Sequence, residues 1–167
     1  MTTPNHPPRL STSTDSALQR PHVLVVTSDE DLKDFFVEGL ILGGLWVSAV
    51  ASAIQTLELL RLRTFDLILI DDQLSGLPAL ELVRRLRGRS DRAATEGPRT
   101  DVPILLLMDD PDDANDDAAR GAGVDHVLTP PLDLEDLVPL LHAIVMSWRD
   151  DHPGRPWADN AALSPPR

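Results

Sequence analysis

Phe65 to Gly76 reads FDLILIDDQLSG, and the fold turns on this stretch. Leu67 to Ile70 make an unbroken apolar run entered from Asp66, and Asp71 follows just ahead of a turn. A strand apolar on every successive residue is buried on both faces, which a parallel sheet covered by helices provides. In such sheets ligands and chemistry gather beyond the carboxyl ends of the strands, so Asp71 is a carboxylate aimed into a cleft.

Working outward, apolar runs alternate with amphipathic stretches from about His22 to Trp148, the pattern of βα units that build a parallel sheet. Strands are predicted at Val23 to Val26, Trp46 to Ala51, Leu67 to Ile70, Ile104 to Leu107 and His126 to Leu128. Helical spacing sets Leu32, Phe35, Phe36 and Leu40 on the core face of the first helix, and Leu80, Val83 and Leu86 on that of the third. Leu134, Leu137, Leu141, Ile144 and Trp148 form the same stripe on the fifth, with Asp133 as its N-cap and Asp136 in its first turn. The expected architecture is α/β, a five-stranded parallel sheet with helices on both faces.

The chain has 167 residues, 42% of them apolar, which suits one compact domain. It has no Cys, which excludes disulfides and thiolate chemistry and fits a cytoplasmic location. A net charge of −12 argues against nucleic acid and against anionic membrane surfaces. The apolar run Gly39 to Ile54 falls short of the ~18 residues of a membrane span and contains Gly and Ser; it reads as helix end, turn and strand. Residues 1–20 are expected to be a disordered lead without a secretory signal, 88–102 a mobile loop and 149–167 a disordered tail.

The segments VLVVTSDEDLKDFF, FDLILIDDQLSGLPALELVRRLR, VPILLLMDD and GAGVDHVLTPPLDLEDL together resemble the receiver domain of two-component response regulators, over about Pro21 to Trp148. The resemblance implies a flavodoxin-like fold, and a domain that takes a phosphoryl group onto one Asp from a histidine kinase with Mg²⁺ bound by an acidic pair. It sets Asp71 at the phosphoacceptor position and Gln73 where a backbone carbonyl helps hold the metal. It also implies degenerate pocket positions. Thr27 and Ser28 stand where the family has its acidic pair, with Asp29 displaced by one residue. Met108 stands for the hydroxyl residue, Pro130 for the Lys and Val127 for the aromatic switch; the single lysine, Lys33, belongs to the first helix.

Phosphoryl transfer depends on positioning and on neutralising the developing charge. Like charges about 4 Å apart repel by roughly 4 kcal/mol at an effective dielectric near 20, and Asp72 and Asp109 add negative charge beside Asp71. The expectation is therefore an atypical, stand-alone receiver that signals through protein contact and is not an enzyme, with conventional phosphorylation of Asp71 impaired. Any output passes through partners, since no room is expected after Trp148 for an output domain: a sensor kinase, a downstream signalling protein or a second copy of the chain. The resemblance points to the face of the fourth and fifth helices. Two alternatives stand beside this: a conventional phosphoacceptor in which Asp29, Asp71 and Gln73 bind Mg²⁺, and a flavodoxin-like cofactor protein.

Other polar features carry bland readings. Asp109, Asp110, Asp112, Asp113, Asp116 and Asp117 read as a solvated loop and helix start, lacking the Gly and distant Glu of an EF-hand loop. His126 is a candidate base or proton-sensitive contact, whereas His22, His142 and His152 read as packed or exposed. Gly39, Gly43 and Gly44 follow no strand, so they make no dinucleotide fingerprint.

Overall fold

The computed structural model describes residues 20–91 and 97–158. Five parallel strands, β1 (His22–Val26), β2 (Trp46–Val50), β3 (Leu67–Asp71), β4 (Ile104–Leu107) and β5 (His126–Leu128), form one sheet in the order β2-β1-β3-β4-β5. The order reverses between β1 and β3, where a crevice opens at the carboxyl ends of the strands. Five helices alternate with the strands: α1 (Glu30–Leu42), α2 (Ala53–Leu60), α3 (Ala79–Arg87), α4 (Asp113–Ala122) and α5 (Leu134–Asp151).

Because side chains alternate along a strand, the apolar runs divide into two cores. Val23, Val25, Leu67, Leu69, Leu105 and Leu107 pack against Phe36 and Leu40 of α1 and Leu137, Leu141 and Val145 of α5. Leu24, Val26, Ile68, Ile70, Ile104 and Leu106 face Leu82, Val83 and Leu86 of α3 and Ala119 and Ala122 of α4, with α2 on the same side. Gly39 and Gly43 serve helix packing. A Cβ on Gly39 would come within 2.5 Å of Leu134, and one on Gly43 within 2.7 Å of Val138, so their bareness lets α1 and α5 approach.

All five predicted strands are present, with β2 ending at Val50 and β3 reaching Asp71. The expected cap of α5 is there too: Asp133 accepts from the Glu135 N–H at 2.9 Å. Trp148 departs from its predicted stripe, packing against the α2–α4 core and donating its indole N–H to the Asp101 carbonyl at 3.0 Å.

The disordered tail is a correction for residues 149–158. Helix α5 continues to Asp151, and the segment behind it folds back onto the start of β3, where Ala158 is buried and donates its N–H to Asp66 Oδ1 at 3.1 Å. Arg149 stacks on Trp157 at 3.7 Å and lies 3.8 Å from the buried Asp66 carboxylate, so its charge offsets one that burial would otherwise penalise. The end of the predicted loop 88–102 nearest β4 is held in place. Arg87 donates to the Thr100 carbonyl, Thr100 donates its N–H to the Leu86 carbonyl, and Val102 is buried. The expectations for residues 1–19, 92–96 and 159–167 lie outside the described residues.

Candidate functional site

Strands β1 and β3 pair in register, Val26 beside Ile70, so the next residues, Thr27 and Asp71, emerge side by side at the crevice. Both are buried, and the Thr27 hydroxyl donates to Asp71 Oδ2 at 2.8 Å. That hydroxyl accepts in turn from the Asp29 N–H at 3.1 Å. The other Asp71 oxygen, Oδ1, accepts from the Gln73 N–H at 3.0 Å. A carboxylate with a donor on each oxygen is anchored within its own loop and strand pair.

The displaced acid, Asp29, is engaged elsewhere. Its Oδ1 caps α1 by accepting from the Asp31 and Leu32 N–H groups at 3.0 and 3.1 Å. Ser28 is exposed beside it. An open cleft of about 460 Å³ in front of Asp71 is lined by Ser28, Asp29, Leu32, Gln73, Leu107, Asp109 and Pro130. None of these residues is cationic. Lys33 pairs with Glu30 on α1, and Pro130, joined to Pro131 by a cis peptide bond, presents no donor. Met108 does not line the cleft: its side chain is buried in the α2–α4 core, and only its backbone takes part in strand-end bonding, to the Leu128 carbonyl at 2.9 Å. Val127 packs against the same core.

The site carries uncompensated negative charge. Asp72 is held above the usual carboxylate range by its burial and by the charges of Asp71 and Asp109. A hard cation such as Mg²⁺ wants several carboxylate oxygens at once. Here Asp71 is bonded on both oxygens, a threonine hydroxyl occupies the neighbouring strand end, and Asp29 is turned to its cap. That donor set does not fit the ion, and among the described residues no group of three or more His, Cys, Asp or Glu side chains is placed to hold a metal. The same lining offers no cation for the phosphate of a flavin.

Other candidates fall away from the cleft. Asp112 caps α4 through the Asn115 N–H at 2.7 Å and Asp116 pairs with Arg120 at 2.9 Å, so the acidic cluster forms a helix start as expected. His126 opens β5 at the opposite pole from Asp71 and is exposed. His142 bonds the Gly43 carbonyl at 3.1 Å, His152 stacks on Trp148, and His22 is buried against Phe65 with Nε2 2.8 Å from Ser48 Oγ. Sequence reasoning treated Thr27 only as a missing acid and overlooked it as the donor to Asp71; the equal ends of β1 and β3 were the available signal. Asp29 immediately before the acid-rich turn Glu30–Asp31 was a legible N-cap that went unused.

No family model matches this chain. The transcriptional regulatory protein CseB of Streptomyces avermitilis is 28% identical over 127 residues, 76% of this chain and 50% of that protein. The response regulator MprA of Mycobacterium tuberculosis is 27% identical over 123 residues, 74% of this chain and 50% of its own length. The chain thus spans about half the length of these curated relatives. Among solved structures, the receiver domain of the Francisella response regulator 1452 superposes with a TM-score of 0.66 at 20% identity, covering 77% of this chain and 99% of that one. A CheY-like receiver domain protein of Methanospirillum hungatei gives 0.67 at 18% identity, covering 79% and 98%. The chain is thus similar in sequence to response regulators and shares the flavodoxin-like fold of receiver domains. Among the described residues no helix is long and apolar enough to cross a membrane.

Proposed function

We propose that this domain is an atypical receiver of two-component signalling that acts through protein contact, with Mg²⁺-dependent phosphorylation of Asp71 impaired. The observation that carries the reading is the 2.8 Å hydrogen bond from Thr27 to Asp71 in a cleft without a cationic lining residue. A phosphoryl group added to Asp71 would displace that bond and sit among Asp29, Asp72 and Asp109, with no ammonium to offset its charge. In this reading Thr27, Ser28 and Pro130 are the altered pocket positions, and Met108, turned into the core, leaves the end of β4 without a hydroxyl. The partners are a sensor kinase or a downstream signalling protein, met in the cytoplasm. The domain's acidity favours protein over nucleic-acid contact; the name of CseB as a transcriptional regulator describes a protein twice the length matched here.

Incubation of the full chain with acetyl phosphate and Mg²⁺, followed by intact-mass measurement and phosphate-affinity electrophoresis, tests the proposal. The expected result is an unmodified chain; stable modification abolished by Asp71→Ala overturns it. A second reading, a conventional phosphoacceptor, draws on the open cleft that Asp71 shares with Asp29 and Asp109. It requires Asp29 to leave its helix cap, at a cost of about 1 kcal/mol. Mg²⁺ affinity in the wild type that disappears in Asp71→Ala is the result that favours it.

A further inference from the structure

The pole of the sheet opposite Asp71 holds an arginine-lined cavity that the receiver reading does not use. It measures about 170 Å³ and lies between three segments remote in sequence: the α2–β3 turn, the stretch before β4 and the folded-back C-terminal segment. Each contributes one arginine to the lining, Arg63, Arg99 and Arg155 respectively, and the Arg99 guanidinium also lies against Gly88 at the end of α3.

Two carboxylates share the lining, and both are committed. Asp66 accepts the His22 N–H at 2.7 Å and the Ala158 N–H at 3.1 Å, and it has Arg149 as its ionic neighbour. Asp101 forms an ion pair with Arg155. Among the described residues Arg63 and Arg99 have no carboxylate partner, so the cavity keeps an excess of positive charge in a chain of net charge −12. The planar guanidinium fork matches the oxygens of a phosphoryl group, and such an anion can accept from more than one fork at once. Leu60, Phe65 and Val102 give the lining an apolar part beside Thr64 and Thr100.

We propose that this cavity binds a phosphoryl group, with Arg63 and Arg99 as its principal ligands and Arg155 sharing its charge between the anion and Asp101. The bound anion bridges the three segments and fastens the C-terminal segment to the body of the domain. Its source is either free inorganic phosphate or the phosphoryl end of a small organic ligand whose body rests on the apolar part of the lining.

The test uses the full chain and follows thermal unfolding and heteronuclear NMR shifts during titration with inorganic phosphate, with phenyl phosphate, and with chloride at matched ionic strength. Phosphate is expected to raise the melting temperature saturably, with shifts centred on the Arg63, Thr100 and Ala158 amides, while chloride does neither. Tighter binding of phenyl phosphate identifies an organic phosphate as the source; equal or weaker binding identifies the free anion. Arg63→Gln and Arg99→Gln alter exposed or half-exposed side chains and are expected to fold, each weakening binding about tenfold. Asp71→Asn leaves the titration unchanged, which separates this site from the cleft. A response to phosphate no greater than to chloride, or full retention of the response in the Arg63→Gln/Arg99→Gln double variant, overturns the proposal.

Discussion

The hydroxyl of Thr27 donates to the carboxylate of Asp71 across 2.8 Å, joining the ends of two neighbouring parallel strands. The contact is buried, so its removal is felt. Thr27→Val keeps the shape and β-branching but takes one of two donors from a buried carboxylate. A loss of about 1.5 kcal/mol is expected, read as a lower urea midpoint at unchanged m-value.

Restoring acids where the pocket has hydroxyls tests the same site in the other direction. Thr27→Asp/Ser28→Asp places new carboxylates beside Asp71, and their mutual repulsion is expected to destabilise the metal-free domain by about 1 to 3 kcal/mol. Millimolar Mg²⁺ recovers that stability in the double variant and changes the wild type little, because the wild-type donors do not gather around an ion. Calorimetric titration with thermal unfolding reads both effects.

Arg87 ties three elements together. It donates to the Gly123 carbonyl at 3.1 Å, to the Thr100 carbonyl at 2.8 Å and to Asp125 at 2.7 Å, from a side chain only 11% exposed. Arg87→Ala is expected to cost about 2 to 3 kcal/mol, discounted because Asp125 is half exposed, and Arg87→Lys to recover little, since a single ammonium does not reproduce the fork. Amide exchange near Thr100 and Gly123 rises in both variants.

The acid side of the stability profile carries the mark of His22. Burial, aided by the charge of Arg63, pushes its imidazole below the ordinary value of 6.5. The unfolded chain therefore binds this proton at a higher pH than the folded one, and stability is full above 6.5 and falls as pH drops toward the lowered folded value. Melting temperatures measured between neutral and mildly acidic pH are expected to decline less in His22→Asn than in the wild type.

The layered sheet was legible because its signals are local: Leu67–Ile70 and Ile104–Leu107 are apolar on every residue, and Phe36, Leu40, Val83 and Leu86 recur at helical spacing. Asp71 could be placed for the same reason, at the end of a buried run. Its bond to Thr27 crosses 44 positions and depends on strand pairing. The C-terminal segment was misjudged because Pro, Gly and charged residues dominate it, while its anchors lie far away, Ala158 reaching Asp66 over 92 positions. Thr100, near the close of the polar loop before β4, is held by Arg87 and by the Leu86 carbonyl, contacts without periodicity.

Strand β3 has an aspartate beside each end, Asp66 fixing the returning chain and Asp71 facing the cleft, roughly 16 Å apart at the usual rise per residue. Ala158 is thereby stationed on the far hemisphere from the cleft. A partner seated at the cleft therefore meets the domain a full strand length from the point where the returning chain is pinned.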